Sequence, residues 1–191
     1  MSKRMADKAE LEKAIRLINT DGIREAVALL QPLANRDSAD AIFILACIGT
    51  SDETVDQFEA RHVMMLQRAA ELGQRSAIYS LYLYRDTGEH KELLPKDPKE
   101  ALRLLSQAFD LGHRDAIYQF GVMYLFGTPP VPLEQSKGRN LIEKSAGLGS
   151  GLALHFLAGA HEEGKYGFVL DGEKSKRYAA LAENYSEVMY L

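Results

Sequence analysis

The feature that most constrains this chain is a helix-sized stretch that begins on alanine and recurs four times. Its fullest copy is Ala116–Gly127, AIYQFGVMYLFG, with Ala116, Phe120, Gly121, Tyr124 and Gly127 at offsets 0, +4, +5, +8 and +11. On a helix of about 3.6 residues per turn, the first four of these share one face. A glycine inside a helix costs about 1 kcal/mol relative to alanine, so Gly121 implies a neighbouring helix close enough to collide with a Cβ. The same frame reads AIYSLYLYRDTG from Ala77, ALHFLAGAHEEG from Ala153 and AIFILACIGTSD from Ala41. The four alanines lie 36, 39 and 37 residues apart.

A second segment precedes each anchor: MMLQRAAELGQRSA, LLSQAFDLGHRDA, IEKSAGLGSGLA and, in the first copy, LLQPLANRDSADA. Gly73, Gly112 and Gly149 stand four residues before their anchors, where a helix ends and the chain reverses, and Asp37 fills that place in the first copy. One unit is therefore a helical hairpin. A helical period in the high thirties predicts an all-α fold, an α/α solenoid of stacked antiparallel helical hairpins. The pattern predicts one continuous domain over residues 1–191, with an N-terminal helix at 6–19 and a C-terminal capping helix within 172–191.

The first helix carries Leu11, Ala14, Ile15 and Ile18 on one stripe and stops at Thr20-Asp21-Gly22. The next spans Ile23–Ala34, and Asp37 or Ser38 caps the helix that follows, through Ile48. Thr50-Ser51-Asp52 opens a connection to a helix over Val55–Leu72, and another covers Ser76–Asp86. Asp97-Pro98-Lys99-Glu100 is a capping signal that opens a helix to Leu111. The loop Thr128-Pro129-Pro130-Val131-Pro132 reads as a stiff connector, although P-x-x-P is also a shape that aromatic grooves accept. A final helix over Glu173–Val188 sets Tyr178, Leu181, Ala182 and Tyr185 on one side.

These residues give the chain a family likeness. The framework A-x-x-x-L-G-x-x-Y-x-x-G, a loop, D-x-x-K-A and A-A-x-x-G resembles the Sel1-like repeat, a relative of the tetratricopeptide repeat, over about residues 22–185. The Ala116 unit carries Gly121, Tyr124, Gly127, Glu134, Lys137, Gly138, Ser145, Ala146 and Gly149; Asp97, Glu100, Ala101, Ala108 and Gly112 serve the unit before it. Gly167, Asp171, Lys174, Ser175 and Ala182 serve the last. Tyr82, Ala158 and Ala46 replace the helix glycine, Arg85 and His161 replace the tyrosine, and Gly49 takes the tyrosine position in the degenerate first unit. The resemblance implies an adaptor or assembly role, and alternatively an inhibitor that neutralises a bacterial toxin, as an immunity protein does. Some cysteine-rich relatives are linked to weak lactam hydrolysis; their paired cysteines are missing here, so that activity is not carried over.

A net charge of −4 leaves no basic footprint for nucleic acid. No apolar run approaches the roughly 20 residues that span a bilayer, and the basic N-terminus MSKRMADKAELEKA lacks the apolar stretch of a secretory signal. The expectation is a cytoplasmic chain without membrane contact, or a periplasmic one if a leader has been removed. The single cysteine, Cys47, sits among apolar neighbours and reads as a small core residue.

No chemistry-bearing constellation emerges. His161-Glu162-Glu163-Gly164-Lys165 lacks the second histidine of a zinc-protease helix, and His155 and His161 face different sides of their helix. Gly147-Leu148-Gly149-Ser150-Gly151 follows a helix rather than a strand and lacks the lysine of a phosphate loop. The acidic residues are scattered, as paired outer helix faces require. The expectations are no catalytic residues, no metal and no cofactor.

The row at anchor +2 is Phe43, Tyr79, Tyr118 and His155, and the +6 positions Leu83 and Val122 extend it. It lies off the packing face defined by the anchors, and first helices of successive hairpins line a concave side. The row therefore admits two readings, a groove for a partner protein or packing of one first helix on the next. The reading taken forward is a non-enzymatic scaffold that binds a partner protein, with carbohydrate or cell-wall binding as a further alternative for rings in a groove.

Overall fold

The computed structural model describes residues 3–20, 22–49 and 52–185. Among the described residues there are helices and no strand, and the fold is all-α, an α/α solenoid of helical hairpins, as the repeat predicts. Asp21, Thr50, Ser51, the expected final turn at 186–188 and the side chain of Tyr185 lie outside the described residues. The packing divides into two compact units, the chain up to Gln107 and the chain from Ala108.

The first unit holds α1 (Lys3–Ile18), α2 (Ile23–Ala34), α3 (Ala39–Ala46), α4 (Val55–Glu71), α5 (Arg75–Thr87) and most of α6 (Pro98–Asp110). From α1 to α5 each helix packs on the next. Ala14, Ala26, Leu30, Leu33, Ala41, Ile44, Leu45 and Ile48 belong to its core. The short α3 is buried on every side from Ala41 to Ala46, which is why an all-apolar sequence was needed there and the repeat pattern faded. A helix end so enclosed leaves carbonyls without partners. Arg61 supplies them: its guanidinium donates to Leu45 O (2.9 Å) and Ile48 O (2.7 Å) while paired with Glu53 at 2.6 Å.

The second unit holds α7 (Arg114–Phe126), α8 (Gln135–Gly147), α9 (Gly151–Glu163) and α10 (Gly172–Tyr185). Helices α7 and α8 form one hairpin and α9 and α10 the next, with α9 also packed on α7 and α8. Leu125, Ile142, Leu154, Leu157, Phe168 and Ala182 belong to the core. The expected close approach at Gly121 is present. A Cβ there would stand 2.8 Å from Ile142 Cγ1 and 3.1 Å from Gly138 O, and one on Gly138 would stand 2.6 Å from Leu125 N. The two helices touch through glycine on both sides.

Local hydrogen bonds repeat with the sequence. Ser38, Gln74, His113 and Ser150, each three residues before an anchor, accept from the N–H of Ala41, Ala77, Ala116 and Ala153. Directly before these caps, Asp37, Gly73, Gly112 and Gly149 take φ of 60°, 84°, 74° and 81°, the left-handed turn that the four aligned positions imply. The long loops close alike: Asp97 N–H donates to Arg85 O (2.9 Å), Glu134 to Tyr124 O (2.9 Å) and Asp171 to His161 O (2.8 Å). This explains two departures from the pattern. Arg85 donates to Pro95 O (2.7 Å) and His161 Nδ1 to Val169 O (2.8 Å), so each replaces the tyrosine with a donor that holds its own loop.

Candidate interaction surface

Helix α7 places Tyr118, Val122 and Phe126 four residues apart along one stripe. Tyr118 and Val122 are half-buried against the core of the second unit, and Phe126, at the helix end, is 49% exposed. Gly127 then turns the chain in the left-handed region, φ 66°. Phe156 of α9 lies across from Tyr118, with ring centroids 6.1 Å apart. The loop after α9 adds Tyr166, whose ring stacks on Phe156 (5.4 Å) and meets Phe126 edge-on (5.3 Å).

The result is a continuous run of rings, Tyr118–Phe156–Tyr166–Phe126, half-buried at one end and open at the other. Tyr166 is 41% exposed, and its backbone sits at φ 58°. A non-glycine residue there costs roughly 1–2 kcal/mol, and Asp37 and His90 share the conformation. The loop is held on its far side by Phe168, buried against His161 at 5.4 Å. Leu133 and Leu170, at 61% and 69% exposed, occupy matching places over Gly127 and Gly164. Burial pushes the Tyr118 phenol above its ordinary range, so that hydroxyl stays neutral.

The sequence-derived row is divided by this geometry. In the second unit, Tyr118 and Val122 form the root of the ring run, and His155 is exposed on α9 beside Phe156. In the first unit, Phe43 and Tyr79 are 7% exposed, and Leu83 is half-buried. This corrects the groove reading for Phe43 and Tyr79. The α3 segment is enclosed on all sides, and Tyr79 packs against Tyr82 at 5.4 Å, so neither ring is available to a partner. Phe126, Phe156 and Tyr166 were missed. Phe126 continues the i, i+4, i+8 stripe of Tyr118 and Val122, a signal present in the sequence, whereas Tyr166 joins through a loop turn that no periodicity reports.

A polar cluster lies in the first unit. His62 Nδ1 is 2.7 Å from the Ala46 carbonyl, which can only accept, so it is the donor; Nε2 then faces the Tyr84 hydroxyl at 2.8 Å. His90 packs edge-on against Tyr84 at 4.6 Å. Burial, with Glu89 and Cys47 nearby, pushes the Tyr84 phenol up to about 12. Through these two bonds His62 ties α3 to α5. Among the described residues no three histidine, cysteine, aspartate or glutamate side chains lie together as metal ligands, and no helix is long and apolar enough to cross a membrane.

Comparison with known proteins follows the same architecture. The Sel1 repeat family model matches residues 81–113, 114–150 and 151–184, more than half of the chain. The match starts later than the likeness from residue 22, and it leaves out the enclosed α3 hairpin where the pattern is degenerate. No curated protein matches significantly in sequence. Among solved structures, a Sel1 repeat protein from Oxalobacter formigenes superposes with TM-score 0.67 at 20% identity, covering 93% of this chain and 73% of that one. The immunity protein Pa5087 from Pseudomonas aeruginosa gives TM-score 0.60 at 18% identity, covering 97% and 84%. The protective antigen c5321 of uropathogenic Escherichia coli gives 0.55 at 22%, covering 83% of this chain and 33% of that one. With three consecutive repeats matched and the hairpin grammar in place, the chain belongs to the Sel1 repeat family.

Proposed function

We propose that this protein is a non-enzymatic interaction module that binds a partner protein through the open end of the ring run, Phe126, Phe156 and Tyr166. Sel1 repeats generally mediate protein–protein interactions. The observation that carries the reading is Tyr166: a tyrosine in a left-handed backbone conformation, braced by two phenylalanines and 41% exposed. Tyrosine and other rigid rings concentrate binding energy at interfaces, and a ring already held in place loses little freedom on binding.

A second reading is inhibition of a toxin, motivated by the similarity in fold to the immunity protein from Pseudomonas aeruginosa. The two readings share a surface and differ in consequence, since an inhibitor blocks the activity of its partner at equimolar amounts. The test is quantitative affinity capture from the native cell with wild type and with the Phe126→Ala/Tyr166→Ala variant, with melting curves of both. A partner lost with the variant at unchanged helicity supports the reading. Equal capture by both proteins refutes this surface.

A further inference from the structure

We propose that the ring run recognises a partner segment carrying a carboxylate beside an apolar side chain, and that Arg139 takes the carboxylate. This deepens the protein-binding reading and rests on it. Arg139 rises from α8 to the loop that carries Tyr166. Its Nη1 donates to Tyr166 O (3.2 Å) and its Nη2 to Ser136 Oγ (3.2 Å). Its guanidinium also lies against Gly167, at φ 79°, where a Cβ would stand 2.5 Å from Nη1.

Three observations point to an external anion. First, Arg139, like Arg114 and Lys144, has no carboxylate partner among the described residues, while Lys137 pairs with Glu134, Lys165 with Glu163 and Lys174 with Asp171. Second, two of the five guanidinium donors' bonds are made within the protein, so the group is oriented and retains donors. Third, it is half-buried on α8 and hydrogen-bonded to the loop that carries the exposed ring of Tyr166. Arginine beside tyrosine and phenylalanine is the composition of an interface hot spot, and its planar fork matches a carboxylate in two parallel bonds. A phosphate is the less fitting anion, because phosphopeptide sites gather several arginines, and the neighbouring lysines here already face carboxylates.

The geometry sets the ligand: an aspartate or glutamate within a residue or two of a leucine, phenylalanine or tyrosine. The test is selection of a random displayed peptide library on the full chain, followed by solution affinities of the enriched peptides. Acidic–apolar peptides are expected. Their affinity should fall about tenfold or more with Arg139→Gln, fall similarly with Tyr166→Ala, and hold with Lys144→Gln elsewhere on α8. Because Arg139→Gln also removes a bond to the loop, the peptide itself is varied. Changing its carboxylate to the amide should cost about tenfold against wild type and little against Arg139→Gln. An equal penalty against both proteins, or enriched peptides without acids, overturns the role of Arg139 while leaving the ring surface intact if Tyr166→Ala still weakens binding. Peptides indifferent to Tyr166→Ala, or no enrichment at all, overturn the surface and this proposal together.

Discussion

Replacing Gly138 with alanine tests whether the α7–α8 hairpin is held by contact of backbone on backbone. The new methyl would lie 2.6 Å from Leu125 N, 2.7 Å from Gly121 O and 2.8 Å from Leu125 Cα, all main-chain atoms of the opposing helix. No rotamer change relieves that overlap, so the helices must separate. Overpacking of this kind costs about 1–3 kcal/mol, and the upper end applies because rigid backbone collides. Against it stands the intrinsic preference of a helix for alanine over glycine, about 1 kcal/mol. The net expectation is a loss of about 2 kcal/mol. Gly159 supplies the control, since it lies inside α9 with nothing within 4 Å of its would-be Cβ. Gly159→Ala should therefore stabilise by about 0.5–1 kcal/mol. Urea unfolding followed by circular dichroism gives both values, compared at unchanged slope. If both variants shift the midpoint upward, Gly138 is not at a crossing and the packing argument is wrong.

Other outcomes follow from single contacts. Arg61→Ala strips the α3 carbonyls of their donors and should cost about 2–3 kcal/mol, and Arg61→Lys should rescue little, because one ammonium cannot replace the fork that reaches Leu45 O, Ile48 O and Glu53; urea midpoints check both. Ser145→Ala removes a 2.7 Å bond to Arg114 O from a fully buried site and should cost about 1–2 kcal/mol. Burial pushes the Cys47 thiol up to about 11 from its ordinary 9, so a thiol reagent at mildly alkaline pH should label the native protein far more slowly than the unfolded one. The sign for stability follows: the neutral thiol is favoured in the fold, so its contribution is complete below pH 9 and declines as pH rises from 9 toward 11. Rapid native labelling at neutral pH would contradict this burial. A chelator should leave the melting temperature unchanged, and a clear drop would reveal a metal that the side-chain arrangement does not provide for.

Much of this architecture was legible in the sequence because it depends on short-range rules. The turn at Asp37, Gly73, Gly112 and Gly149 follows from left-handed backbone geometry, and the helix at Ile23–Ala34 follows from periodicity and a stop signal, so both could be read without coordinates. Gly121 could be read as a helix crossing because a mid-helix glycine has a known cost. What the sequence could not state was which atoms it meets, and that Gly138, a small residue in the next helix, faces it. The +2 row shows the limit more sharply. Phe43, Tyr79 and Tyr118 share one repeat register, yet Phe43 and Tyr79 are buried while Tyr118 leads to an open surface. Register sets the direction of a side chain from its own helix; exposure depends on what packs beyond it, and the apolar enclosure of α3 is a tertiary fact. Tyr166 and Arg139 belong wholly to that second category. They stand 27 residues apart and meet because one loop turns through the left-handed region and a glycine leaves room for a guanidinium. Periodicity carries no record of a loop's path, and so the repeats determined the scaffold while the folding of one loop onto one helix decided where the proposed recognition surface lies.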